Sequence, residues 1–477
     1  MPAPRPVGPV PGPGPGPGPG PGPLAGTGTV PCTQVFLAST LYGTATLAAG
    51  IDAGCFPPAH RRILLTSNHA LAAEVSPGLT GMPGFDVLRT RFDEVIDWNA
   101  VIAPLHPSSW TPRPEDVPLW ERQLRALWGL GEDRVELIVE SLQVPPARAL
   151  CLLFPGAAVD VYADGLMSYG PTRFRLDAQI GTRVRRVLHP DLVPGLEPLL
   201  LTEFGVPAEL LPTDALLKVL DGLPAGAPEL AGVGEGPALL LGQYLSALDL
   251  LSLQEEEDLH VGMVRGAHAL GHRELVFKPH PSAPAEYSGR AAAEAERLGA
   301  RFTVVSAPVL AECLYQRLRP ALVVGCFSTG LLTAATLYGL PVARTGTGAV
   351  LARLTPYQNS NRIPLTVVDA LLPDLADAAA VAGWAAPGPE QVRSRLAGLV
   401  TAVGYAMQPQ ILAERRAEAE RHLAADPDRR TRGYVTRRRL TSLGLPGGIP
   451  AGLAFLPQNP AVRRVVRRLR RLRAARS

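Results

Sequence analysis

Short apolar runs alternate with helical patterns along most of this chain, and the alternation halts and restarts once. In the first half, residues 34–38, 63–66, 94–96, 137–139, 150–154 and 159–162 read as strands, each Val/Ile/Leu-rich and bounded by turn residues. Runs of this kind are what parallel strands buried on both faces look like, because βαβ crossovers cover such a sheet with helices. Between them, residues 118–130 predict a helix with Leu119, Leu124, Leu127 and Leu130 on one buried face. Residues 221–236 are then small and turn-forming, which marks a boundary. Beyond it the pattern begins again. Strands are expected at 238–241, 274–277, 302–305, 321–325 and 341–344, with helices over 255–270 and 329–338. The fold class is therefore α/β, with two Rossmann-like domains facing each other across a cleft. In such sheets ligands bind beyond the carboxyl ends of the strands, so the residues just after each strand are the ones to examine.

The ends of the chain are different in kind. Residues 1–31 form a Pro-Gly arm that cannot pack a core and reads as disordered. Residues 32–225 and 226–424 are the two domains, and 425–477 is a basic tail. That tail holds fourteen arginines and two aspartates, a charge of +12 in a chain whose total is +3, so the rest sums to −9. Within it, Val462, Val465, Val466, Leu469 and Leu472 follow helical spacing with arginines around the other faces. This reads as a membrane-surface helix attracted to anionic lipid, with a solvated tail as the alternative. An acidic body and a tail without interleaved aromatics argue against nucleic acid. Five cysteines without a CxxC pair, and no secretory signal, give neither a disulfide framework nor a structural zinc site, so a cytoplasmic location is expected.

Three strand ends carry candidate chemistry. After the run at 159–162 comes Ala163-Asp164-Gly165, where a turn places one carboxylate over the cleft as a general base requires. An Asp-Gly turn is also a common structural feature. After 274–277 comes Lys278-Pro279-His280-Pro281, an amine and an imidazole leaving a strand together before a proline suited to a helix start. Lysine is informative here, since only Lys218 and Lys278 occur against 44 arginines. His106-Pro107 and His189-Pro190 lack an adjacent lysine and read as loop punctuation. The third signal is Ser328-Thr329-Gly330, where Ser328 is a natural helix N-cap and the same turn presents hydroxyls and amides to a phosphate. Lys278/His280 and Ser328/Thr329 are expected at neighbouring strand ends, with Asp164 facing them.

An acidic motif before glycine, then His-Pro, then a Ser/Thr pair, in this order, resembles the bacterial sialyltransferases of the GT-B type. Over residues 33–385 the chain looks most like the bacterial alpha-2,8-polysialyltransferase family. Gly242-Gln243-Tyr244-Leu245 and Tyr357-Gln358-Asn359-Ser360-Asn361-Arg362 add less specific likeness. The resemblance implies an inverting transferase that needs no metal or other cofactor. Its donor would be CMP-sialic acid or a related CMP-nonulosonic acid, and its acceptor a glycan or polysaccharide at the inner membrane surface. Asp164 would deprotonate the acceptor hydroxyl, and His280 would hydrogen-bond or protonate the departing phosphate. Lys278, Pro281, Ser328, Thr329 and Gly330 would bind the donor, with Gly165, Asn361 and Arg362 as further candidates. One position departs from the family pattern: the first residue of its acidic pair is Ala163 here, and Asp160 is the only other acid on that strand. Two other readings compete. One is a GT-B enzyme using a UDP-sugar, a transferase or epimerase, although the Gly-rich Arg344-Thr345-Gly346-Thr347-Gly348 lacks a nearby glutamate for a ribose. The other is a catalytically degenerate GT-B protein that binds a glycan or nucleotide without transfer.

Overall fold

The computed structural model describes residues 30–70, 78–224, 226–280, 283–425 and 430–449. Pro281, most of the Pro-Gly arm and the arginine-rich stretch after 449 lie outside these residues. Seven parallel strands form the first sheet: β1 Cys32–Ala38, β2 Arg61–Thr66, β3 Glu94–Asp97, β4 Arg134–Val139, β5 Ala158–Tyr162, β6 Val184–Pro190 and β7 Ala208–Leu211. Their order is β3-β2-β1-β4-β5-β6-β7. Five strands form the second: β8 Ala238–Leu241, β9 Glu274–Lys278, β10 Arg301–Val304, β11 Leu322–Gly325 and β12 Val342–Arg344, in the order β10-β9-β8-β11-β12. In each sheet the order in which strands are added reverses once, between β1 and β4 and between β8 and β11, which is the Rossmann arrangement and opens a crevice at each reversal. Alternate residues along each strand feed two apolar layers. Val35, Leu37, Leu137 and Val159 face one side of the first sheet, and Phe36, Ile138 and Tyr162 face the other. Two Rossmann-like units meeting at the carboxyl ends of their strands make up the expected GT-B architecture.

Several local expectations change. Residues 150–154 are not a strand, because the helix Ala147–Leu153 occupies them. That helix, Ala-Arg-Ala-Leu-Cys-Leu-Leu, has leucine and alanine and no β-branched residue, so helix propensity decides where burial alone cannot. β6 and β7 were not anticipated, since Arg185 and Arg186 interrupt the apolar pattern of β6. Both arginines are used within the sheet. Arg185 meets Asp160 at 2.7 Å and Glu136 at 3.0 Å, and Arg186 meets Asp160 at 2.9 Å and Glu209 at 2.8 Å. His189 and Pro190 end β6 rather than punctuating a loop, and His189 is buried. The helix at Val117–Leu127 buries Leu124 but leaves Leu119 69% and Leu127 64% exposed, so its apolar face is narrower than the spacing predicts. The helix over 253–269 begins in a capping box between Ser252 and Glu255.

The tail also begins later than its charge suggests. Val435, Leu440 and Leu445 are buried in the core of the second unit. Tyr434 donates to Asp369 at 2.8 Å, and Arg439 donates through Nε to the Ala406 carbonyl at 2.7 Å. Residues 430–449 thus belong to the folded body. Among the described residues no helix is long and apolar enough to cross a membrane.

Candidate active site

The two sheet reversals put their strand ends against each other. On the first side β1 runs into Ser39 and Thr40, and Thr40 caps the helix Leu41–Asp52 by accepting from Gly43 N at 2.9 Å. β4 runs into Glu140, and β5 into Ala163 and Asp164. The Ser39 hydroxyl donates to Glu140, and the Thr40 side chain hydrogen-bonds Asp164. A Cβ built on Gly43 would stand 3.3 Å from Asp164 Oδ2, so this carboxyl rests on the first turn of a helix, where the dipole favours an anion. Burial nevertheless raises the pKa of Asp164, opposed by its backbone N–H and Thr40. Burial, then the charge of Asp164, pushes Glu140 up to about 7, against hydrogen bonds from Ser39 and Tyr162. Ala163 turns away from this group and packs on the apolar layer beneath.

On the second side β11 runs into Phe327-Ser328-Thr329. Ser328 caps the helix that follows, accepting from Gly330 N at 3.2 Å. The helix continues as a π turn over Thr333–Leu337. Tyr315 donates to the Gly330 carbonyl at 2.8 Å, and a Cβ at Gly330 would come within 2.8 Å of that hydroxyl, so the close approach requires glycine. Thr333 donates to Glu312 at 2.9 Å. Glu312 is buried, and burial raises its pKa, with the charge of Asp164 from across the cleft contributing. The Tyr42 hydroxyl is enclosed without a hydrogen-bond partner, and burial followed by the charges of Glu312 and Asp164 raises its pKa far above the usual phenol range. A Cβ at Gly165 would lie 3.3 Å from Thr329 Oγ1. The Asp-Gly turn of one unit therefore touches the Ser-Thr turn of the other.

Lys278 and His280 leave β9, and β8 lies between β9 and β11, so the two pairs are not on neighbouring strands as the sequence suggested. The gap is bridged by Gln243, just after β8, whose side-chain oxygen accepts from Phe327 N at 2.8 Å. That loop is pinned by Glu256, which accepts from Leu245 N at 2.7 Å and from Ser246 N at 2.9 Å. Lys278 is 6% exposed and donates to the Pro279 carbonyl at 3.3 Å. Burial pulls it down to about 8, with Glu229 of the linker opposing. His280 lies two residues past Lys278 and is exposed, its pKa lowered first by desolvation among its neighbours and then by Lys278.

Other candidates are placed elsewhere. Arg362 is buried, donates to the carbonyls of Tyr357 at 2.9 Å and Leu354 at 2.8 Å, and lies 4.0 Å over the Tyr357 ring. It holds its own loop. Asn361 uses its backbone N–H within that loop, donating to Asn359 at 3.0 Å. Asp160 is held between two guanidinium groups, as described above, and not at the cleft. Glu140 and Glu312 were missed, because neither sits in a motif: Glu140 reaches the site through sheet order, and Glu312 from the first turn of the helix Ala311–Leu318. Among the described residues no group of three or more His, Cys, Asp or Glu is placed to hold a metal ion.

Residues 34–347 match the protein family described as alpha-2,8-polysialyltransferase. No curated protein matches the sequence. Solved structures similar to the chain include the GT-B domain of a sialyltransferase from Photobacterium damselae, at 12% identity and TM-score 0.40, covering 71% of this chain and 96% of that one. An alpha/beta-galactoside alpha-2,3-sialyltransferase from Photobacterium phosphoreum has 11% identity and TM-score 0.36, over 71% and 95%. A UDP-GlcNAc 2-epimerase from Methanocaldococcus jannaschii has 10% identity and TM-score 0.40, over 66% and 83%.

Proposed function

The chain belongs to the alpha-2,8-polysialyltransferase family and is a sialyltransferase-like glycosyltransferase; on that premise we propose that it transfers sialic acid or a related nonulosonic acid from a CMP-activated donor to a glycan hydroxyl, with inversion. The observation that carries this reading is the approach of the Asp164-Gly165 turn to the Ser328-Thr329 turn across the cleft. A base on one side and hydroxyls and amides on the other suit an in-line displacement. The first unit would take the acceptor and the second the donor.

In this mechanism Ser328 and Thr329 hold the phosphate that links CMP to the sugar. Lys278 adds charge beneath it, and His280 hydrogen-bonds or protonates the departing oxygen. Asp164 removes the acceptor proton as the new C–O bond forms at the anomeric carbon and the bond to the phosphate oxygen breaks. The transition state is oxocarbenium-like, so donors fixed before the reaction around the leaving phosphate do most of the work. Cationic side chains supply the neutralisation, and the proposal invokes no metal. Desolvation and Lys278 lower the pKa of His280 in the free protein, which favours its neutral form. An arriving phosphate favours its protonated form and loads the acid only when donor is bound. The basic segment after 449 would bring the enzyme to the anionic inner face of a membrane, where the acceptor glycan is made.

Calorimetric titration with CMP and with UDP tests this on wild type, Asp164→Asn and His280→Ala. CMP should bind wild type and Asp164→Asn alike and fail on His280→Ala. Preference for UDP, or no nucleotide binding at all, refutes the reading.

A further inference from the structure

Glu140 occupies a place prepared for it. Consecutive residues Ser39 and Thr40 each tie down one carboxyl, Ser39 that of Glu140 and Thr40 that of Asp164. The acids end adjacent strands, β4 and β5, on the side where β1 and β4 part. The groups that act on them are Tyr162 from β5, Tyr42 from the helix Leu41–Asp52 and Glu312 from the second unit. All three are acids or phenols, and no cation acts on either carboxyl in its described surroundings. Two ionised carboxylates buried side by side without a counter-charge are strongly disfavoured. One negative charge, with a proton held by its neighbour, is the arrangement these surroundings accept.

We propose that Glu140 and Asp164 form a one-proton carboxyl pair in which Glu140 holds the shared proton and Asp164 stays ionised to act as the base. Glu140 thereby takes over in space the acidic partner that the sequence lacks at Ala163, and it is a positioning residue that acts through Asp164. This rests on the reading of Asp164 as base. When the acceptor hydroxyl gives its proton to Asp164, the pair becomes neutral. The electron pair of the broken C–O bond leaves on the phosphate, and no further co-reactant is needed. Raising the pH until Glu140 ionises puts a second negative charge beside the donor, whose phosphate is itself anionic, so donor binding weakens there.

The test uses the full-length chain and the variants Glu140→Gln and Asp164→Asn. Infrared titration of the free protein should show a buried protonated-carboxyl band that disappears around neutral pH. Glu140→Gln should abolish it, and Asp164→Asn should move its midpoint down by about one pH unit or more, since the neighbouring charge is gone. A band that persists in Glu140→Gln, or a midpoint indifferent to Asp164→Asn, overturns the pair. Turnover of CMP-sialic acid is the second measurement. Glu140→Gln mimics the protonated acid, so the decline in turnover expected of wild type above neutrality should be lost in it. An unchanged decline overturns the positioning role. Should wild type transfer nothing, the transfer reading fails, while the infrared titration still decides the pair.

Discussion

Replacing Lys278 with methionine should stabilise the free protein while impairing its nucleotide binding. The amine is buried and hydrogen-bonds the adjacent Pro279 carbonyl at 3.3 Å. Burial holds its pKa at about 8, with only partial relief from Glu229. The gap from the ordinary lysine value corresponds to ~3 kcal/mol of disfavour for the charged amine in the folded state. Methionine keeps the unbranched stem and has no charge to desolvate. Lys278→Met should therefore gain ~2–3 kcal/mol at pH 7. In a unit of this size that raises its melting temperature by ~5–10 °C. The sign of the pH dependence follows from linkage. Between pH 8 and ~10.4 the unfolded lysine still binds a proton that the folded one has released, so wild-type stability rises with pH and the advantage of the variant disappears. Urea denaturation at pH 7 and pH 10, with calorimetry of CMP binding at pH 7, measures both effects. Affinity for CMP should fall at least about tenfold, the loss expected when a charge-assisted contact is removed. A variant less stable than wild type at pH 7, or a stability difference that does not change with pH, refutes the reasoning.

Gly165→Val should obstruct the contact with Thr329, whose hydroxyl lies 3.3 Å from the first added carbon. Turnover should fall at least about tenfold while CMP binding is kept, and equal loss of both would move the contact away from the reacting geometry. Thr333→Val removes the hydroxyl that donates to buried Glu312 and should cost ~1–2 kcal/mol in urea denaturation; no change would mean that Glu312 is satisfied by other groups. Deleting residues 461–477 should release the chain from anionic vesicles in a sedimentation assay and leave it soluble with neutral ones. Unchanged partitioning rejects the membrane role of the tail.

The reach of the sequence differs from place to place. Val159, Val161 and Tyr162 announce β5, and Leu239, Leu240 and Leu241 announce β8, because a strand covered on both faces is mostly apolar. β6 was hidden by Arg185 and Arg186, whose place in the strand depends on ion pairs with the buried acids Asp160 and Glu136 of other strands. Residues 150–154 satisfied the apolar pattern of a strand and fold as helix, since a short apolar run does not state its period.

At the candidate site, Asp164, Ser328 and Lys278 could be picked out because each follows an apolar run, and a strand end in an open α/β sheet is where ligands meet the chain. Composition, linker and motif order also identify two α/β units and the family. Which strand ends stand together is a matter of sheet order. The insertion of β8 between β9 and β11 sets Gln243 between His280 and Ser328. The pairing of β4 with β5 sets Glu140 beside Asp164 across 24 positions of sequence. Local sequence reports local free energy, such as turn preference, capping and burial. The proton balance of a carboxyl pair depends on distances and on the exclusion of water, and only the closed tertiary structure supplies those.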